Sequence, residues 1–530
     1  MHTPLALVAL AALTSTAACA QAPVPLACDI VEATVAGLAA AQASGGCTSR
    51  MLVEATLARV AALDRSGPTL RAVLELNPDA LAIADALDRE RAAGRLRGPL
   101  HGVPVLVKGN VGTADRMATT AGARALAGAV APADAFVVAR LRAAGAVVVG
   151  KANLSEWANF RAARSSSGWS GLGGQTRNPY VLDRSPCGSS SGTGAGIAAS
   201  LGVVGVGTET DGSIVCPSSA NGLVGVKPTV GLVSRAGIVP LSSSQDTAGP
   251  MARTVRDAAV LLGVLAGVDP ADAATAASAG RSHADYTAFL DADGLRGARI
   301  GVLRRGPFFG YSPATDGLAD AAIDAMRSAG ATIVDSLALP GGYDDDEFTV
   351  LLYDFKHDVD AYLAGAGASV RSLADVIAFN EANPDPDGVG QELLVMAQAK
   401  GPLTDSVYVA ALARSRRIAR TGLDSLLAAH RLDALVAPTG SPMWPIDVLN
   451  GDHFLGSSST PAAVSGYPSV TVPAGLVGGL PVGISLVGPA WSEPTLLRLA
   501  YAYEQATQMR RPPQFLPTLL LPAGHPPGGQ

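Results

Sequence analysis

The sequence predicts a layered α/β fold whose sheet is at least partly parallel. Three observations carry that expectation. Short apolar runs alternate with helical repeats along most of the chain. Glycine is abundant, at 60 of 530 residues, yet follows no G-X-Y period. Hydrophobic residues make up 48% and charged residues only 16%, enough apolar material for a sizeable core and too little charge for a disordered chain.

Residues 1–22 read as a targeting segment. An apolar run from Leu5 to Leu13 precedes small residues with A-x-A sites at Ala18-Cys-Ala20 and Ala20-Gln-Ala22. Such a run is too short to cross a bilayer, so a signal peptide to the periplasm or medium is expected, with a lipid-modified Cys19 as the alternative. One domain over 23–520 and a flexible tail over 521–530 complete the expected organisation. Leu52, Leu57, Val60 and Leu63 recur at helical spacing and predict a helix over 50–63. Asn77 as N-cap and Pro78 at the first helical position predict a second, running to about residue 97. Residues 102–108 form a short buried strand that delivers Lys108 at its end. A helix at 135–143, a strand at 146–149 and a further helix after 150–153 follow. Strands are expected at 203–207, 299–303, 332–339, 433–436, 469–472 and 482–487, and a helix at 494–507 closes the fold. Residues 267–282 lack periodicity and read as a surface linker. From there to about 430 the chain is more helical and more acidic, an elaboration over about 283–430 that shapes a cleft.

Composition excludes several functions. A formal net charge of −6 leaves no basic footprint for a nucleic-acid partner. Beyond the first 22 residues no window is long enough to span a membrane. The seven His are scattered and no C-x-x-C occurs, so no metal site is expected. No phosphate-loop or dinucleotide fingerprint sits at a strand–helix junction, and no cofactor is expected. Cys28 and Cys47 flank a helix-like segment and could pair in an oxidising compartment. The other reading treats Cys28, Cys47, Cys187 and Cys216 as small buried residues.

Only five of the 39 basic residues are lysines, and three of them (Lys108, Lys151, Lys227) fall in the Gly- and Ser-rich part of the chain. Lys can shed its proton inside a protein, whereas Arg effectively cannot. Cys187-Gly-Ser-Ser-Ser-Gly-Thr-Gly194 supplies a small-residue loop, and Thr208-Glu-Thr-Asp-Gly-Ser213 follows a strand. Small residues let backbone N–H groups crowd round an anion, either a phosphate or the oxyanion of an acyl transfer. Taken alone, Lys227 reads as a solvated loop charge, and Arg235 and Asp246 as structural hydrogen-bonders. Trp444, Tyr467 and Trp491 are candidates for a cleft lining.

In order along the chain, Pro104-Val-Leu-Val-Lys108-Gly-Asn, Gly188-Ser189-Ser-Ser-Gly192, Gly207-Thr-Glu-Thr-Asp-Gly-Ser213-Ile, Gly225-Val-Lys-Pro-Thr and Asp246-Thr-Ala-Gly-Pro250 resemble the amidase signature family of serine hydrolases. The resemblance runs from about residue 50 to 517. It implies one large layered domain with a central mixed twisted sheet covered by helices on both faces. Its triad falls on Ser213 as nucleophile, Ser189 in a cis peptide with Gly188, and Lys108 as base. The backbone N–H groups of Thr210, Asp211, Gly212 and Ser213 map to the oxyanion hole, with Asp211 standing where the family usually has Gly. The wording is most similar to bacterial members that remove the C-terminal amide of peptides, which implies a monomer acting on a peptide or small amide. The alternatives are an amidotransferase-type member, a non-catalytic member and a hydrolase of other small or aryl amides. A different mechanism also fits one word: Gly188-Ser-Ser190-Ser-Gly192 satisfies the G-x-S-x-G elbow, with His430, His453 or His525 as base.

Overall fold

Alternation along one strand sets the layering. In Pro104–Lys108, Leu106 packs into one apolar core and Val105 and Val107 into the core on the opposite face, all fully buried. A strand covered on both faces must be apolar throughout, which is why 104–107 reads as an uninterrupted run. The computed structural model describes residues 28–519. The segment read as a signal at 1–22, with Cys19, and the tail at 521–530 lie outside the described residues.

Thirteen strands follow in chain order among these residues. The first six are β1 Val73–Leu76, β2 Pro104–Lys108, β3 Val147–Ala152, the small hairpin β4 Trp169–Ser170 and β5 Gly174–Gln175, and β6 Val204–Glu209. Then come β7 Val224–Lys227, β8 Thr247–Ala252, β9 Arg299–Val302, β10 Thr332–Val334, β11 Ala434–Pro438, β12 Ser469–Val477 and β13 Leu480–Val487. Eleven of them form one mixed sheet in the order β1-β3-β2-β6-β8-β7-β12-β13-β11-β9-β10. The β3, β2 and β6 strands are mutually parallel, so their carboxyl ends share one edge. Ligands in open α/β sheets collect outside such an edge. The helices Phe136–Ala143, Val255–Leu265, Pro313–Ser328 and Glu493–Thr507 pack on one face. Ala80–Ala92 and Ser191–Ala198 pack on the other.

Several boundaries differ from the sequence expectation. Asn77 does not cap a helix: its Oδ1 accepts from the Asp79 N–H at 2.9 Å and its Nδ2 donates to the Val148 carbonyl at 2.8 Å. The helix therefore starts at Ala80, and it ends at Ala92 because Gly94 turns left-handed (φ 73°). After β3 ends at Ala152, the helix expected beyond 150–153 is reduced to the four-residue, irregular turn Glu156–Asn159. Within it Trp157, Ala158 and Asn159 have φ of 53°, 55° and 73°. Three successive left-handed residues other than Gly are strained by about 1–2 kcal/mol each. Tertiary contacts hold them, among them the Trp157 N–H donated to the Ala121 carbonyl and the Ser155 N–H donated to the Ser189 carbonyl.

The stretch read as a surface linker at 267–282 is instead docked. Its 3-10 turn Ala273–Ser278 follows Asp272, whose carboxylate receives the Arg235 guanidinium through two N–H donors at 2.8 and 2.6 Å. The elaboration is helical chiefly over Asp344–Gly365, Leu373–Ala382, Glu392–Gln398 and Ser406–His430. Four acidic residues fill the first turn of Asp344–Gly365, where the helix dipole favours negative charge.

Candidate active site

Lys108 ends β2, and the strand's direction carries its side chain to the shared carboxyl edge with no exposure to solvent. Its Nζ contacts three oxygens: Ser189 Oγ at 2.8 Å, Thr208 Oγ1 at 2.9 Å and the Thr208 carbonyl at 3.1 Å. It forms no ion pair among the described residues. Burial pushes its pKa down from 10.5 to about 7, against weaker upward pulls from Asp246 and Glu209. Three oxygens can take the three N–H bonds of an ammonium, whereas the neutral amine has two N–H bonds and a lone pair. Two N–H bonds can go to Thr208, whose carbonyl accepts only, leaving the nitrogen lone pair for a proton from Ser189.

Ser189 and Ser213 both line a cavity of about 500 Å³. The Gly188–Ser189 peptide is cis, as the resemblance implied. The Ser190 N–H donates to the Ser213 carbonyl at 3.2 Å, tying the two segments together. A second tie is covalent. Cys187 and Cys216 form a disulfide, with Cys187 immediately before the cis peptide and Cys216 three residues after Ser213. Cys28 and Cys47 also pair, one of the two readings left open for them. Removing a bridge that closes a loop of this length lowers stability by about 3–4 kcal/mol. The Cys187→Ala/Cys216→Ala double variant is accordingly expected to melt several degrees lower in a calorimetric scan and to lose turnover.

Among the described residues, Ser213 Oγ makes no hydrogen bond, including none to Ser189 Oγ. Both residues line the same cavity. The backbone N–H groups of Thr210, Asp211, Gly212 and Ser213 likewise meet no acceptor among the described residues. Those of Ile214 and Val215, the next two along, are taken by Glu209 Oε2 at 2.6 and 2.9 Å. Four consecutive unpaired N–H donors therefore stand beside the Ser213 hydroxyl, the kind of group that can stabilise negative charge where they converge. Asp211 turns its side chain to Thr460, whose hydroxyl donates to Oδ2 at 2.7 Å.

Asp246, read as a structural hydrogen-bonder, holds three donors. It accepts from Thr210 Oγ1 at 2.5 Å and from the Leu241 and Ser242 N–H groups, and burial lifts its pKa to about 6. Lys227 departs from expectation. It is fully buried at the end of β7, donates to the Tyr467 carbonyl at 2.7 Å, and has its pKa lowered by burial to about 8. Trp444 lines the cavity, but Tyr467 and Trp491 line a different one. Thr208, which grips the lysine, was missed by sequence reasoning; its only signal was its place at the head of the Thr208–Ser213 word.

The elbow mechanism loses its nucleophile here. Ser190 is fully buried and its hydroxyl is spent on the Thr208 backbone, donating to the carbonyl at 3.0 Å and accepting from the N–H at 3.2 Å. No histidine hydrogen-bonds a serine among the described residues, and His525 lies outside them.

The lysine–serine contact and the cavity lie together at the carboxyl edge of the parallel strands. The chain belongs to the amidase family, whose model matches residues 51–497, and it is an amidohydrolase. Among solved structures it is similar to the native peptide amidase of Stenotrophomonas maltophilia: 55% identical, TM-score 0.88, covering 91% of this chain and 99% of that one. It is 43% identical over 503 residues to a probable amidase of Arabidopsis thaliana, covering 92% of each chain. It is 37% identical to a glutamyl-tRNA(Gln) amidotransferase chain of Chloroflexus aurantiacus, covering 90% of this chain and 96% of that one.

Proposed function

We propose that this chain hydrolyses the C-terminal carboxamide of peptides to carboxylate and ammonia through an acyl-serine intermediate. The contact set of Lys108 Nζ is the observation that carries this reading. Neutral Lys108 takes the Ser189 proton, Ser189 takes the Ser213 proton, and Ser213 Oγ bonds to the amide carbon. The carbonyl π electrons move onto oxygen, held by the N–H groups of residues 210–213. Collapse breaks the C–N bond, and the proton returns through Ser189 to the leaving nitrogen as ammonia departs. Water, deprotonated by the same relay, then opens the ester and releases the acid.

Peptide amides are favoured by the size and lining of the cavity. At about 500 Å³ it far exceeds what a lone carboxamide needs. Its lining includes apolar side chains, Phe160, Leu351, Leu393 and the half-exposed Phe454, suited to the side chains of an acyl peptide. Similarity to the solved peptide amidase of Stenotrophomonas maltophilia supports the same substrate class. An oxidising destination fits the two disulfides and the signal segment read at 1–22. Among the described residues, no helix is long and apolar enough to cross a membrane.

A substrate panel tests this directly. Ammonia release is expected to be fastest from a blocked dipeptide amide, with free asparagine slow and an internal peptide bond uncut. Preference for asparagine, or no free ammonia from the isolated chain, overturns the reading.

A further inference from the structure

The amide cradle has to be aimed, and its aim is set from behind. In a planar trans peptide the C=O of one residue and the N–H of the next point in opposite directions. Anchoring a carbonyl on the protein side therefore turns the following N–H toward the cavity. Cys216 does this for one peptide, donating its N–H to the Gly212 carbonyl at 2.8 Å and so orienting the Ser213 N–H.

The Thr210–Asp211 peptide is anchored by a side chain instead. Gln245 Nε2 donates to the Thr210 carbonyl at 3.4 Å and to Glu347 Oε1 at 2.8 Å. Gln245 is 3% exposed and Glu347 is 7% exposed, so neither bond competes with bulk water. Because the Thr210 carbonyl only accepts, the amide must present its NH₂ end there. Glu347 belongs to the first turn of the helix Asp344–Gly365. That places one end of the helical elaboration in direct line with the cradle. Burial, reinforced by the Asp211 carboxyl, holds Glu347 well above the usual carboxylate range.

We infer that Gln245, braced by Glu347, is a positioning residue for the reaction: it fixes the Thr210–Asp211 peptide so that the Asp211 N–H meets the developing oxyanion. This rests on the assignment of residues 210–213 as oxyanion donors. Gln245 touches no reacting atom, so its loss acts on the transition state and leaves ground-state binding almost unchanged.

The test uses Gln245→Met, which fills similar space without donors, and the pair Glu347→Leu and Glu347→Gln. For a blocked dipeptide amide, Gln245→Met is expected to lower kcat by about 10- to 100-fold with KM within about twofold. Affinity for a peptide aldehyde, whose serine adduct places an alkoxide in the cradle, is expected to fall by a similar factor. Glu347→Leu should follow Gln245→Met, and Glu347→Gln, which keeps an acceptor, should restore most of the rate. That pair carries the test if Gln245→Met fails to fold. A wild-type kcat, or a loss of kcat with aldehyde affinity unchanged, overturns the inference. Ser213→Ala separates the two levels. If it stays active, the acyl-serine reading on which the cradle rests is wrong; if it is inactive while Gln245→Met is unaffected, only the positioning role fails.

Discussion

Ser213→Ala is expected to release no measurable ammonia from peptide amides, a loss of about 10,000-fold or more in kcat. The variant removes one oxygen at a position that is 6% exposed, and Ser213 Oγ makes no hydrogen bond among the described residues, so folding and melting temperature should hardly change. That combination separates a missing nucleophile from a damaged fold. Substrate binding should also survive, because the cavity wall and the four backbone N–H groups remain. Ammonia assayed alongside a calorimetric melt checks both halves. A variant with even a tenth of wild-type turnover would remove the acyl-serine mechanism.

The second large effect concerns proton affinity. With the pKa of Lys108 lowered to about 7, the neutral amine grows as pH rises through that value, so kcat/KM should climb with pH and level off above about 8. The sign follows from burial, which disfavours the charged form and outweighs the pull of Asp246 and Glu209. Lys108→Arg keeps a cation of similar reach that cannot deprotonate, and Lys108→Met keeps the bulk without the nitrogen. Each is expected to lose about 100- to 10,000-fold at every pH, with no recovery at high pH. An Arg variant with substantial activity, or a flat wild-type profile between pH 6 and 8, would contradict the assignment of the base. Lys151 is likewise buried, with a pKa of about 7. Its Nζ is bound by the Val111 carbonyl and Thr119 Oγ1, outside the cavity, so Lys151→Met should leave the shape of the profile intact.

What could be read in advance divides by the range of the forces involved. The strand ending at Lys108 was legible because burial on two faces demands an unbroken apolar run. The lysine–serine pairing was legible through family resemblance, since nothing local to residue 108 points to residue 189. Lys227 was misread for the same reason. The groups that make its burial tolerable, the Tyr467 carbonyl and the nearby charges of Glu209 and Glu493, come from remote parts of the chain. The left-handed turn at Trp157–Asn159 runs against local propensity and is imposed by tertiary contacts. Gly94 is a local stop signal of the opposite kind, yet the helix was expected to run on to about 97 and ends at Ala92. Gln245 sat beside a recognised word, but its value depends on Glu347, which no spacing rule links to it.

The Cys187–Cys216 bond turns the stretch from residue 187 to 216, both hydroxyls included, into a closed hoop. Material produced in a reducing cytosol would arrive with that hoop open, and its specific activity would then reflect the oxidation history of the preparation as much as the enzyme. Counting free thiols before each assay, with full reoxidation as the reference, is what makes rates from different expression hosts comparable.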